Sequence, residues 1–122
     1  MNDKIRVLVM DTSDIQTYQA LNDEYDIIHV GNDDKAGMKL IKQHLPNVVM
    51  IGSGIYANAF EVARAIKQFF PAIKIIMMSE ANDPSWLQNA FMAGADNILA
   101  KPMFLTEEVS KTINLVCGKP ID

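Results

Sequence analysis

Gly94-Ala95-Asp96-Asn97-Ile98-Leu99-Ala100-Lys101-Pro102 is the stretch whose reading decides the fold. Asn97–Ala100 reads as a short buried strand, entered through the turn Gly94-Ala95-Asp96 and ending in Lys-Pro. Before it stand a helical segment, Pro84–Ala93, and an apolar β-branched run, Ile73–Met78. Strand, helix and strand thus follow one another, and the same alternation runs back to the start of the chain. Further strands are expected at Ile5–Met10, Ile27–Val30 and Val48–Ile51. Their continuous apolar character suits parallel strands buried on both faces. Helices are expected at Asp14–Asp23, Asp34–His44, Ala57–Phe70 and, after the last strand, Thr106–Cys117. Phe60, Ala63, Ile66 and Phe70 recur at helical spacing and give the third helix one apolar face. Pro84 suits a first helical turn with Asp83 as N-cap. Thr106 with Glu107 and Glu108 makes a second good helix start, because acids favour the positive end of the helix dipole. Five β-α repeats predict an α/β domain: a parallel sheet with helices on both faces, joined by right-handed crossovers.

The 122 residues suffice for one domain with a real core, and residues 1–122 are read as that single domain. The stretch 117–122 has the look of a helix stop and the start of a linker to an output domain. Hydrophobic residues make up 49% and charged residues 21%, an ordinary globular balance. No apolar run approaches the roughly 20 residues of a membrane span. The N-terminus runs straight into a strand without a signal-peptide pattern. The one cysteine, Cys117, has no internal disulfide partner and reads as a small hydrophobe. A cytoplasmic protein is expected. Lys and Arg number 11 against 15 Asp and Glu, a net charge of −4. That balance argues against nucleic-acid binding by this domain.

In doubly wound sheets ligands bind beyond the carboxyl ends of the strands. Asp11, Thr12, Gly52, Ser53, Ser79 and Lys101 all fall at such ends. The loop from Gly52 to Ala59 carries two glycines, but no Gly-Lys-Ser/Thr follows, so it is no phosphate cradle. His29 lies inside a strand and His44 ends a helix, and neither forms an evident nucleophile–base pair with Ser53 or Ser79. No catalytic constellation is visible. The eight methionines fall mostly at strand or core-facing positions and read as packing.

From Ile5 to about Val116 the chain resembles the response-regulator receiver family, the chemotaxis-regulator-like phospho-switch domains. The residues that carry the likeness are Val7-Leu8-Val9-Met10-Asp11, Pro46 to Ser53, Ile75-Ile76-Met77-Met78-Ser79 and, most specifically, Gly94 to Pro102. The resemblance implies the CheY-like, flavodoxin-like three-layer sandwich with strand order 2-1-3-4-5. It also implies a phosphorylation pocket, and here that pocket is degenerate. Receivers place two adjacent acids after strand one to hold Mg²⁺ with help from the phospho-accepting aspartate. Asp11 matches the first acid, Thr12 stands at the second, and Gly52 stands at the acceptor. A lone carboxylate is a poor site for a hard octahedral cation, so no metal and no cofactor are expected. Ser79 matches the switch hydroxyl and Lys101 the conserved lysine, which is expected to pair with Asp11 across the vacated pocket. Ile98 stands where the family has a switching Tyr or Phe. The resemblance further implies a cis Lys101–Pro102 bond.

Three departures, at acceptor, metal acid and switch, point to a phosphorylation-independent signalling or scaffolding module that is not an enzyme. It is expected to act through a protein partner or as a homodimer. The face formed by helix 4, strand 5 and helix 5 is the usual receiver partner face. Leu87, Ala90 and Phe91 are expected to face the sheet, leaving Trp86, Met92 and Met103 as interface candidates. The runs Met77-Met78-Ser79-Glu80 and Ala90 to Ala95 also resemble N-terminal receivers fused to partitioning-type ATPases of pilus assembly. Two alternatives stand beside this reading. One is a conventional phospho-accepting response regulator; the other is a small flavodoxin-like enzyme or nucleotide binder, since fold does not fix function.

Overall fold

The computed structural model describes residues 4–31, 33–52, 59–79, 83–101 and 105–118. Ser53, Met103, the Lys101–Pro102 bond, most of the loop from Gly52 to Ala59 and the tail beyond Gly118 lie outside the described residues. Five strands, β1 (Arg6–Met10), β2 (Asp26–His29), β3 (Val48–Gly52), β4 (Lys74–Ser79) and β5 (Asn97–Ala100), alternate with five helices. These are α1 (Ile15–Leu21), α2 (Asp34–His44), α3 (Ala59–Phe69), α4 (Pro84–Ala93) and α5 (Thr106–Val116). All strand pairs are parallel, in the order β2-β1-β3-β4-β5. This is the expected flavodoxin-like topology, with every element bound within two residues of expectation.

Burial explains the strand composition. β3 is buried along its whole length and β4 is buried from Ile75 onward, as strands with helices on both faces must be. Side-chain alternation then splits the core in two. Leu8, Met10, Val49, Ile51, Ile75 and Met77 meet α2, α3 and α4. Val7, Val9, Val48, Met50, Ile76 and Met78 meet α1 and α5.

The segment Gly94-Ala95-Asp96 shows why those residue types stand there. Gly94 ends α4 at φ 113°, where a side chain is strained. A Cβ on Gly94 would also lie 2.6 Å from Lys67 Cγ. Asp96 accepts from the Ile75 amide at 2.8 Å and pairs with Lys67 Nζ at 2.8 Å. The Asp96 amide donates to the Ile75 carbonyl at 2.7 Å. Lys67 Nζ donates to the Ile73 carbonyl as well. The turn therefore clamps β5 to β4 and to α3 before the strand begins.

Thr106 begins α5 as expected, with Leu105 at the cap position without a side-chain bond. One expectation needs correction, the rotation of α4. Ala90 and Ala93 are buried, Trp86 packs half-buried against the α2–α4 core, and its ring lies 6.0 Å from that of Phe60. Leu87 and Phe91 face outward instead of toward the sheet. The cause is that α4 carries apolar residues on both faces, so periodicity did not single one out. The small Ala90 and Ala93 let the helix sit close to the sheet, and Trp86 fills the space at its start. Asp83 caps α4 as expected, accepting from the Ser85 amide at 2.9 Å.

Candidate functional site

Asp11, Gly52, Ser79 and Lys101 meet at the carboxyl edge of the sheet, where the topology puts the ends of β1, β3, β4 and β5. The Lys101 amide donates to the Ser79 carbonyl at 2.9 Å, so β5 delivers Lys101 alongside β4. Lys101 then reaches across the edge. Its ammonium donates to both oxygens of Asp11, at 2.7 and 2.9 Å, and to Ser13 Oγ. Asp14 Oδ2 lies 3.4 Å from the same nitrogen. The expected pairing of Lys101 with Asp11 is present.

Asp11 is completely buried, and its carboxylate is saturated. Besides Lys101, it accepts from Tyr18 Oη at 2.8 Å and from the amide and hydroxyl of Ser13, both at 3.3 Å. A buried charge is tolerable only when paired and hydrogen-bonded. Tyr18 itself is buried, and that burial, together with the neighbouring Asp11 charge, pushes its phenol far above the ordinary range. It remains a neutral donor. His29 Nε2 bonds the Asp11 backbone carbonyl and packs edge-on against the Tyr18 ring.

Gly52 explains how Asp11 fits. A Cβ built on Gly52 would stand 2.8 Å from Asp11 Oδ1 and 3.1 Å from its Cγ. The Asp11 carboxylate therefore occupies the space that any side chain at position 52 would enter. In this arrangement a side chain at position 52 would meet the Asp11 carboxylate, and Gly52 offers no acceptor.

The remaining expected residues are distributed as follows. Ser79 is buried at the end of β4, while Thr12 is exposed. Ile98 is half-buried against the α2–α4 core. A metal does not fit the described residues. Thr12 and Gly52 offer no carboxylate, Lys101 already bridges both oxygens of Asp11, and among the described residues no group of three or more His, Cys, Asp or Glu is arranged to hold a metal ion. Sequence reasoning missed Ser13, Asp14, Tyr18 and His29. Only Ser13 carried a local signal, because a residue two positions after an aspartate commonly bonds back to its carboxylate. Tyr18 and His29 reach Asp11 through tertiary packing.

No family model matches the chain. It is 23% identical over 106 residues to the transcriptional regulatory protein DegU of Brevibacillus brevis, covering 82% of this chain and 45% of that protein. It is also 23% identical over 125 residues to the probable transcriptional regulatory protein NarL of Mycobacterium tuberculosis, covering 98% of this chain and 58% of that one. The chain thus spans about half the length of the curated relatives it matches. Among solved structures, the signal receiver domain of the putative response regulator NarL from Mycobacterium tuberculosis superposes with a TM-score of 0.84 at 22% identity, covering 98% of this chain and 100% of that chain. A CheY-like receiver domain protein from Methanospirillum hungatei gives 0.83 at 18% identity, with 95% of each chain covered. The fold is that of these receiver domains. Among the described residues no helix is long and apolar enough to cross a membrane.

Proposed function

We propose that this chain is a response-regulator receiver domain that has given up phosphate acceptance and works as a fixed protein-docking module in the cytoplasm. One observation carries the reading: the Asp11 carboxylate lies where a side chain at position 52 would have to stand, and Lys101 is committed to it. Gly52 supplies no nucleophile, Thr12 no second metal acid, and Lys101 would have to leave Asp11 before a phosphoryl group could enter. The domain performs no catalysis in this reading and takes no metal. Because no population shift precedes binding, a fixed surface suits constitutive pairing or scaffolding.

The docking face in this reading is α4, β5 and α5. Its support is the outward side of α4. Phe91 is 54% and Met92 72% exposed beside Leu87, and the helix contains no charged residue. Clustered apolar exposure marks interaction surfaces where scattered exposure does not. Trp86, packed inward on Phe60, serves this face as support for α4 and not as its anchor. An output domain in a longer protein fits a chain that spans about half the length of the curated relatives it matches, and the runs Met77 to Glu80 and Ala90 to Ala95 are what suggest a partitioning-type ATPase as that domain.

The test is incubation with acetyl phosphate and Mg²⁺ followed by intact-mass spectrometry. No added phosphate is expected. A stable adduct on Asp11 or Asp14 would overturn the reading and establish a conventional phospho-accepting regulator.

A further inference from the structure

The sheet has two outer strands, β2 and β5, and their free edges differ. On β5 the Lys101 amide donates inward to the Ser79 carbonyl, so alternation turns the Ile98 amide off the sheet. That outward amide is covered: Asn97 Oδ1 accepts from it at 2.8 Å. On β2 the amides of Asp26 and Val30 donate inward to the carbonyls of Ile5 and Val9, at 3.0 and 2.9 Å. The same alternation makes Ile27 and His29 direct amide and carbonyl outward. Among the described residues nothing takes up those groups.

Edge strands are commonly shielded by Lys, Pro or a bulge. β2 reads Asp26-Ile27-Ile28-His29, with neither Lys nor Pro, and its register on β1 is unbroken. Ile27 and Ile28 are half-buried and His29 is exposed. Ile27 packs on the α1 side of the sheet and Ile28 on the α2 side. A groove of about 300 Å³ runs along the edge between α1 and β2, lined by Ile15, Tyr18, Gln19, Asn22, Ile27 and His29. None of these is an acid, a lysine or an arginine, and α1 carries no charged residue. The His29 ring is held by the Asp11 carbonyl and by Tyr18, which fixes the strand beneath it. Only another strand matches outward amides and carbonyls two residues apart.

We propose that this strand is a second copy of the chain: two β2 strands join antiparallel about a twofold axis at Ile28, and two five-stranded sheets become one. The residues of β2 complement themselves in that register. Ile27 of each copy exchanges backbone bonds with His29 of the other, so all the outward groups pair. Ile28 meets its own counterpart on the α2 side, as a residue on a twofold axis must. Asp26 falls opposite Val30, so no charge faces a like charge across the ladder. A register one residue off would set the outward groups of one strand against the inward groups of the other. On the α1 side the uncharged groove receives the incoming Ile27 and His29 side chains. The contact uses neither the Asp11 carboxylate nor α4.

The test is disulfide trapping in the 122-residue chain, with the native thiol removed by Cys117→Ser. Opposed residues of a non-bonded antiparallel pair stand about 4.5 Å apart at Cα, within disulfide reach. Ile28→Cys should therefore give a covalent dimer on mild oxidation, about fivefold or more faster than Ile27→Cys, whose counterpart lies opposite His29. Ile27→Pro is the decisive second variant. It removes only an outward amide, which an edge strand tolerates, and should raise the dissociation constant seen by sedimentation about tenfold or more with the circular dichroism unchanged. Phe91→Asp should leave the trapping of Ile28→Cys unchanged. The proposal is overturned by a chain that stays monomeric at every concentration, or by Ile28→Cys trapping no faster than Ile27→Cys. It is overturned equally by a folded Ile27→Pro variant that still dimerises, and by self-association that Phe91→Asp abolishes, which would put the contact on α4.

Discussion

At the scale of single residues, Gly52 and Lys101 hold the pocket in its present form. Gly52→Ala pushes a Cβ into the Asp11 carboxylate, since 2.8 Å is closer than carbon and oxygen can approach. Overpacking of this kind costs about 1–3 kcal/mol, measurable by urea denaturation. Gly52→Asp should cost more, because it also sets a second carboxylate against the first, and it should not restore phosphate uptake. An acetyl-phosphate adduct on Gly52→Asp would show that Asp11 yields easily. Lys101→Met leaves a fully buried carboxylate without its cation. The expected loss is about 3–5 kcal/mol, the range for breaking a buried pair from one side. A melting temperature unchanged by Lys101→Met would mean that Tyr18 and Ser13 alone suffice. Tyr25 supplies a pH dependence. Burial pushes its phenol up to about 12 from an ordinary value of 10, against the lowering influence of its bond to Ser110. Above pH 10 the unfolded chain releases this proton first, so stability is full below pH 10 and falls as pH rises toward 12. Tyr25→Phe should lessen that alkaline decline in equilibrium unfolding, with Tyr18, whose phenol is also pushed up, carrying the rest, though it also gives up the bonds to Ser110 and Asn114.

At the scale of elements, α4 is where periodicity and packing part. A helix reading Pro84-Ser85-Trp86-Leu87-Gln88-Asn89-Ala90-Phe91-Met92-Ala93 offers two apolar faces. The sheet selects the one with the smallest residues, because Ala90 and Ala93 permit close approach. Trp86→Ala should therefore destabilise the fold by about 2–4 kcal/mol through loss of its packing on Phe60 and the core. A melting temperature that stays put while binding falls would return Trp86 to the surface. The turn into β5 makes a parallel case. Its Gly, Ala and Asp were recognisable in sequence. That Lys67 closes over Gly94 and bonds Asp96 followed only from the approach of α3.

At the scale of the whole molecule, a locked pocket at one edge leaves the outer surfaces to carry function. Phe91→Asp places a charge in the middle of the uncharged α4 face. It should weaken self-association or partner binding by about 1–3 kcal/mol and leave unfolding nearly unchanged, because Phe91 is exposed. Sedimentation of the two forms across concentration checks it, and identical behaviour as monomers would restrict the face to other proteins.

The amino-acid sequence by itself determined the α/β class, the order and extent of nearly all ten elements, and the placement of Asp11, Gly52, Ser79 and Lys101 at strand ends. Those properties follow from local periodicity, caps and turn residues, which act over a few positions. That Lys101 stands opposite Asp11 was what the resemblance to receivers implied, not something local pattern showed. Tertiary structure alone decided that the Asp11 carboxylate fills the space beside Gly52, that Tyr18 and His29 close the pocket, and that α4 turns Trp86 inward and Phe91 outward. These depend on contacts between residues far apart in the chain, where steric exclusion and the pairing of buried charge operate through space and leave no local pattern to read.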